Sequence, residues 1–178
     1  MLIVIAVVST LSVLLFTAGK TVVESSKSVT CLSNLKQIYS ACLNYGNDNE
    51  GWLVPSGYYD ALNDGGYLPS DSKVWTCPSD NRTDRVVWGV ATSYGCNADQ
   101  VGWVPQNWDR AQQKLIQIKS PSQTVYFSDS TAYIMRTYNP MWTFRHRNNS
   151  INAVFFDGHA ENLSMKDPGD FQKLVWPD

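Results

Sequence analysis

Residues 2–46 read LIVIAVVSTLSVLLFTAGKTVVESSKSVTCLSNLKQIYSACLNYG, and the change of pattern halfway along them decides the fold. The run over 2–18 carries no charge. As a helix rising 1.5 Å per residue it spans about 25 Å, close to the roughly 30 Å hydrocarbon core of a bilayer. Its eleven Leu, Ile, Val and Phe residues, at about -0.3 to -0.6 kcal/mol each, favour insertion by roughly 3 to 7 kcal/mol, which outweighs Ser9, Thr10, Ser12 and Thr17. The side chains expected to meet lipid or other helices are Leu2, Ile3, Val4, Ile5, Val8, Leu11, Leu14, Leu15 and Phe16. No basic flank precedes the run and no small-x-small cleavage pattern follows it, so it reads as a retained helix and not as a secretory signal.

Beyond Gly19 the pattern becomes amphipathic. Val22, Val29, Leu32, Leu35, Tyr39, Cys42 and Tyr45 lay an apolar stripe along a helix of 3.6 residues per turn. Gly19 and Ser25-Ser26-Lys27-Ser28 are its weak points, since Gly and Ser favour helix less than Ala or Leu. The stop is expected at Gly46, where Gly46-Asn47-Asp48-Asn49-Glu50-Gly51 supplies turn-forming residues. The expected object is one helix of about 44 residues. Residues 1–46 form this spine, with 2–18 as a membrane-spanning half and 20–46 as an amphipathic half; residues 47–178 form a globular domain.

A chain of 178 residues has room for one core and an appendage. Its formal charge of -2, without any basic run, gives no footprint for a phosphate backbone, so no nucleic-acid partner is expected. Seven Trp, nine Tyr and six Phe residues suit subunit contacts and a small core equally well.

Four cysteines, Cys31, Cys42, Cys77 and Cys96, lack the close C-x-x-C pairing of a zinc site and read as disulfide candidates. On one helix Cys31 and Cys42 stand about 16 Å apart and cannot bond to each other. Two pairings remain, Cys31–Cys77 with Cys42–Cys96 or the reverse, beside the alternative of free buried thiols.

From Trp52 onward, short runs are punctuated by Gly, Pro, Asn and Asp. Asp60-Ala61-Leu62 suggests a helical turn, and Thr124-Val125-Tyr126-Phe127 a buried strand ending at Ser128-Asp129-Ser130. Residues 141–147, 151–156 and 159–163 read as three antiparallel strands, joined by a turn at Asn148-Asn149-Ser150 and a two-residue type I′ turn at Asp157-Gly158. Within this region His146, Asp157 and His159, with Asp129, are the candidate metal ligands, for structural zinc or calcium. Hydrogen bonding across the hairpin is the simpler role for the same residues. No cofactor is otherwise implied. No G-x-S-x-G, H-E-x-x-H or phosphate loop appears, so the chain is not expected to be an enzyme and no catalytic residue is assigned.

The apolar run, then Cys31-Leu32-Ser33-Asn34-Leu35-Lys36-Gln37-Ile38 and Tyr45-x-x-Asp48-Asn49-Glu50-Gly51, closely resembles the start of prepilin-type proteins of the type II secretion and type IV pilus superfamily. Trp75-Thr76-Cys77-Pro78-Ser79-Asp80, Ser120-Pro121-Ser122-Gln123-Thr124-Val125 and the ending from His146 to Asp157-Gly158-His159 are similar to the subgroup with a C-terminal H-x9-DG domain. The resemblance covers nearly the whole chain. It implies an α+β, pilin-like fold, with a long N-terminal helix packed on a C-terminal antiparallel β-sheet with long loops. It also implies a pseudopilin or pilin role, an anchor in the bacterial inner membrane, and a globular part in the periplasm or on an extracellular filament. The implied partners are other pilin-like subunits, met through the N-terminal helices, and a secretion or pilus assembly machinery. Two departures stand out: the chain has no acid before Glu24, and ten residues separate His146 from Asp157. Orientation rests on the resemblance alone, because Lys20, Lys27 and Lys36 follow the apolar run and nothing basic precedes it. The alternative is an exported, membrane-tethered module that binds glycan or peptide through Trp52, Trp88, Trp103 and Trp108.

Overall fold

The structure, a computed structural model, describes residues 2–83, 86–87, 90–102, 113–136 and 141–164; at 2, 6, 10–11, 13–18 and 86–87 it describes the backbone alone. The chain is mixed helix and sheet. Helix α1 runs unbroken over Leu2–Asp48, and α2 (Tyr58–Asp64) and α3 (Ala98–Val101) are short. The strands are β1 (Val86–Val87), β2 (Val90–Ala91), β3 (Tyr94–Asn97), β4 (Val125–Asp129), β5 (Ile134–Met135), β6 (Ser150–Phe155) and β7 (Ala160–Ser164).

At about 1.5 Å per residue α1 is roughly 70 Å long, far longer than the sheet it serves. Its packed ridge is Cys31, Asn34, Leu35, Ile38, Ala41 and Cys42, all buried, at the three- and four-residue spacing of one helical face. This ridge is narrower than the expected stripe. Val22 (67% exposed) precedes the first contact with the domain, and Val29 (66% exposed) faces away from it. The helix also passes Gly46, where a Cβ would come within 3.4 Å of the Trp52 carbonyl oxygen. That is an ordinary contact distance, and the helix simply continues through Gly46 to Asp48. The stop falls at Glu50 and Gly51, both left-handed (φ 54° and 82°), with the Gly51 amide donating to the Gly46 carbonyl at 2.7 Å.

Five strands form the main sheet in the order β5-β3-β4-β6-β7, and β1-β2 is a separate two-stranded ribbon. The sheet is antiparallel except at one edge, where β5 runs parallel to β3. This corrects the expectation of a wholly antiparallel sheet: β5 reaches β3 not as the other arm of a hairpin but after β4 has already paired there. Every residue of β4 and β6 is buried, so both faces of the sheet are covered. On one face Tyr126, Phe127, Val154 and Phe156 pack under α1; on the other Val125, Ile151, Ala153 and Phe155 pack beneath Trp142 and Phe144. The register between β4 and β6 moves from Val125↔Phe155 to Phe127↔Val154, so Tyr126 is an extra residue. That bulge lets consecutive aromatics, Tyr126 and Phe127, both face the helix side, which strict alternation forbids.

The last three expected strands reduce to two. Residues 141–146 run beside the sheet as a covering segment, tied by single bridges at Ser130↔Trp142 and His146↔Ser150. The turn types also differ from expectation. At Asp157-Gly158 only Gly158 is left-handed (φ 89°), the Gly158 amide donates to the Phe155 carbonyl at 2.9 Å, and the Phe155 amide donates to the His159 carbonyl at 2.9 Å. This is a three-residue loop with a glycine bulge, not a two-residue type I′ turn. The paired left-handed residues occur instead at Asn148 and Asn149 (φ 61° and 53°).

Candidate functional site

Cys77-Pro78-Ser79-Asp80 begins the site. A 3-10 turn at Lys73–Trp75, capped by the Ser72 side chain, delivers this segment against α1, and the buried Trp75 anchors it through an indole N–H that donates to the Pro69 carbonyl at 2.8 Å. The Asp80 amide donates to the Cys77 carbonyl at 2.9 Å, so one tight turn points a sulfur and a carboxylate into the same interior. Cys77 bonds to Cys31 of α1.

Asp80 sits in a fork of cations. Arg82 donates to its carboxylate through Nε (2.9 Å) and Nη2 (2.7 Å), Ser93 Oγ donates at 2.6 Å, and Arg145 Nη1 lies 2.7 Å from Oδ2. Burial alone would raise the Asp80 pKa, but the Arg82 and Ser93 hydrogen bonds and the Arg145 charge outweigh it and hold the carboxyl well below the usual carboxylate range. Arg145 links this cluster to a second acid: its Nε is 3.9 Å from Asp129 Oδ1. Two acids and two guanidinium groups thus balance in charge inside the domain.

Asp129 ends β4 fully buried, and its Oδ2 accepts from the Asn152 amide at 2.8 Å. The same oxygen lies 3.0 Å from His146 Nε2. That nitrogen is also 3.0 Å from Asn152 Nδ2 and 3.6 Å from Cys77 Sγ, while Asn152 Nδ2 donates to the Ser28 carbonyl of α1 at 3.0 Å. One imidazole nitrogen therefore faces a carboxylate, an amide and a sulfur. A single proton cannot suit all three. Neither His146 Nδ1 nor Asp129 Oδ1 has a hydrogen-bond partner among the described residues. Cys31, Cys77, Asp129 and His146 each offer one ligand atom within 4.8 Å of the others, all buried. With both sulfurs committed to the disulfide, only the imidazole and the carboxylate are donors.

Asp157 and His159 form a different pair. His159 Nδ1 lies 2.6 Å from Asp157 Oδ1, both exposed, and the imidazole stacks over the buried Phe155 with centroids 4.1 Å apart. They follow β6, whereas His146 precedes it, so a six-residue strand about 20 Å long separates the pairs. The four expected ligands do not converge. Gly158 instead receives α1, since a Cβ there would meet the Tyr39 ring at 2.6 Å, and Tyr39 donates to the Phe156 carbonyl at 3.0 Å.

Of the two cysteine pairings, the structure forms Cys31–Cys77, while Cys42 and Cys96 remain thiols. Both thiols are buried, and burial pushes each well above its ordinary pKa, which keeps them protonated and inert. Cys96 Sγ is directed at the Ser56 carbonyl, 4.0 Å away, in place of the second bridge expected from sequence.

At the other end of α1, Ile3 (80%), Val4 (65%), Ile5 (60%), Val7 (51%) and Val8 (57%) are exposed. The side chains of Leu2, Leu11, Leu14, Leu15 and Phe16 lie outside the described residues. Among the described residues no helix is long and apolar enough to cross a membrane. Of the tryptophans considered for ligand binding, Trp52 is partly exposed beside a cleft with Tyr39, Leu43 and Tyr126, and Lys114 Nζ stands 5.1 Å over its ring. Trp88, Trp103 and Trp108 lie outside the described residues.

No protein-family model, curated protein or solved structure matches the chain.

Sequence reasoning missed Asp80, Arg82, Arg145 and Asn152. Asp80-x-Arg82 and Arg145-His146 are short charged pairs without periodicity, and they meet only because the 3-10 turn, β4 and the segment before β6 converge.

Proposed function

We propose that the chain is a structural, non-catalytic subunit of a pilin- or pseudopilin-like assembly, of the type II secretion or type IV pilus kind. In this reading the first half of α1 anchors it in the bacterial inner membrane and bundles with the same segment of other copies. The globular part stands in the periplasm or on an extracellular filament. One observation carries the reading: the helix that is locked to the globular domain by the Cys31–Cys77 bond extends for some thirty residues before Cys31, and its first turns expose five large apolar side chains in six positions. Contiguous exposed apolar surface of this kind is costly in water and marks a contact with lipid or protein. The ridge of Leu35 and Ile38, the Cys31–Cys77 bond and the Ser28–Asn152 contact fix the other end, so a force or tether on the helix acts on the domain directly.

Cell fractionation tests the proposal. The full-length chain is expected to stay with membranes through an alkaline wash, and to appear in sheared filaments or short rods by electron microscopy. The double substitution Ile5→Asp and Val8→Asp is expected to release it, since a charge within an inserted helix costs about 2.5–3.5 kcal/mol per residue. Recovery of the unsubstituted chain as a soluble monomer would contradict the proposal.

A further inference from the structure

We propose that Cys31, Cys77, His146 and Asp129 form a closed zinc site whenever the Cys31–Cys77 disulfide is reduced. The four ligand atoms already lie within 4.8 Å of one another in a buried pocket. Tetrahedral zinc with Zn–S of about 2.3 Å and Zn–N and Zn–O of about 2.0–2.1 Å places sulfur about 3.5 Å from nitrogen, and nitrogen about 3.4 Å from oxygen. Here Cys77 Sγ is 3.6 Å from His146 Nε2, and Nε2 is 3.0 Å from Asp129 Oδ2. The two sulfurs must part, from bonded contact to about 3.8 Å, the separation of two thiolates on one zinc ion, and the nitrogen–oxygen pair must open slightly to about 3.4 Å.

The surroundings suit a cation at that point. His146 Nε2 lies 3.0 Å from both Asn152 Nδ2 and the Asp129 carboxylate, so one nitrogen cannot satisfy both, and a metal that takes its lone pair and the carboxylate together, with the Asn152 amide left to its Ser28 partner, resolves the conflict. Asp129 Oδ1, also buried, lacks a hydrogen-bond partner among the described residues. Two thiolates and one carboxylate leave a single net negative charge around Zn2+, and Arg145, whose Nε is 3.9 Å from Asp129 Oδ1, stands beside it. Four protein ligands fill the coordination sphere, so the site is structural and leaves no open position for substrate.

The chemistry balances simply. A dithiol reductant breaks the Cys31–Cys77 S–S bond, supplies two electrons to the cysteine sulfurs and is itself closed to a disulfide. The two thiol protons pass to solvent as Zn2+ takes both thiolates. Either state staples α1 to the domain at the same place: a covalent bond where the surroundings are oxidising, a zinc ion where they are reducing.

The test uses the full-length chain in mild detergent, reduced with a phosphine, freed of metal, and titrated with zinc chloride against a chromophoric chelator. One zinc per chain is expected, binding at least 100-fold more tightly than to the oxidised chain, and zinc should shield Cys31 and Cys77 from alkylation as read by mass spectrometry. Cobalt(II) should give the intense visible bands of a tetrahedral thiolate site. Cys31→Ser should weaken binding at least 100-fold and Asp129→Asn at least tenfold, while Cys42→Ser and Cys96→Ser should bind as the unsubstituted chain does. If the reduced chain unfolds, circular dichroism should show that zinc restores its fold. Absence of stoichiometric zinc, failure of zinc to refold an unfolded reduced chain, alkylation of Cys31 and Cys77 unchanged by zinc, or dependence on Cys42 or Cys96 overturns the proposal.

Discussion

The two ends of α1 use the same kinds of side chain to opposite effect. Ile3, Ile5 and Val8 stand more than half exposed, whereas Leu35 and Ile38 are completely buried. Composition does not separate them; what lies opposite does. Leu35 and Ile38 have Tyr94, Tyr126, Phe127 and Val154 across from them in one core, while the first turns of the helix run past the end of the sheet. On the proposed reading the bare end meets lipid or other copies, and the packed end determines what a load on it pulls against.

The largest effect that can sharpen this contrast is at the packed end. Arg145→Ala leaves Asp80 and Asp129 buried with one cation fewer, and is expected to lower stability by about 3–5 kcal/mol in urea unfolding. A loss under about 1 kcal/mol would mean that the network is solvated and holds nothing. Next comes the disulfide, which closes a loop with a sequence separation of 46. Cys77→Ser in zinc-free buffer should cost about 4 kcal/mol by the loop-entropy relation, read as a lowered midpoint of thermal unfolding. Leu35→Ala should then cost about 2–5 kcal/mol, but Ile5→Ala no more than about 0.5 kcal/mol of the same unfolding transition. Equal losses at both positions would erase the distinction between the two ends.

Acid is a subtler probe. Because the folded Asp80 carboxyl is held below its unfolded value of about 3.9, its contribution is present above that pH and is lost as pH falls through it toward the folded value. The fall in stability between pH 6 and pH 3 should therefore be smaller in Asp80→Asn than in the unsubstituted chain.

Much of the scaffold was legible because it rests on periodicity. The long helix, the short helical turn around Asp60, the buried strand at Val125 and the hairpin across Asp157-Gly158 all follow from local pattern. The misreadings have local causes too. Gly46 looked like a stop because glycine weakens helices, but α1 runs through it to Asp48 and the chain turns only at the left-handed Glu50 and Gly51. Val22 and Val29 continued the stripe without any surface to meet. Residues 141–146 have strand-like composition yet only bridge the sheet, and β5 joins it in parallel.

The site was harder to read, since it depends on separations of tens of residues. His146 and Asp129 were identifiable as residue types that seek partners, and they do meet. Asp157 and His159 share their chemistry but sit at the other end of β6. Cys31–Cys77 was one of two open pairings, and nothing in spacing alone marks Asp80, Arg82, Arg145 or Asn152 as its neighbours.

Cysteine cross-linking within cells tests the role of the bare end most directly. In a full-length chain carrying Val8→Cys, a short bismaleimide should join copies into dimers through residue 8, with the chain remaining in the membrane fraction. A residue 8 that reacts freely with a water-soluble maleimide on a monomeric chain, and never links one copy to another, would contradict the account.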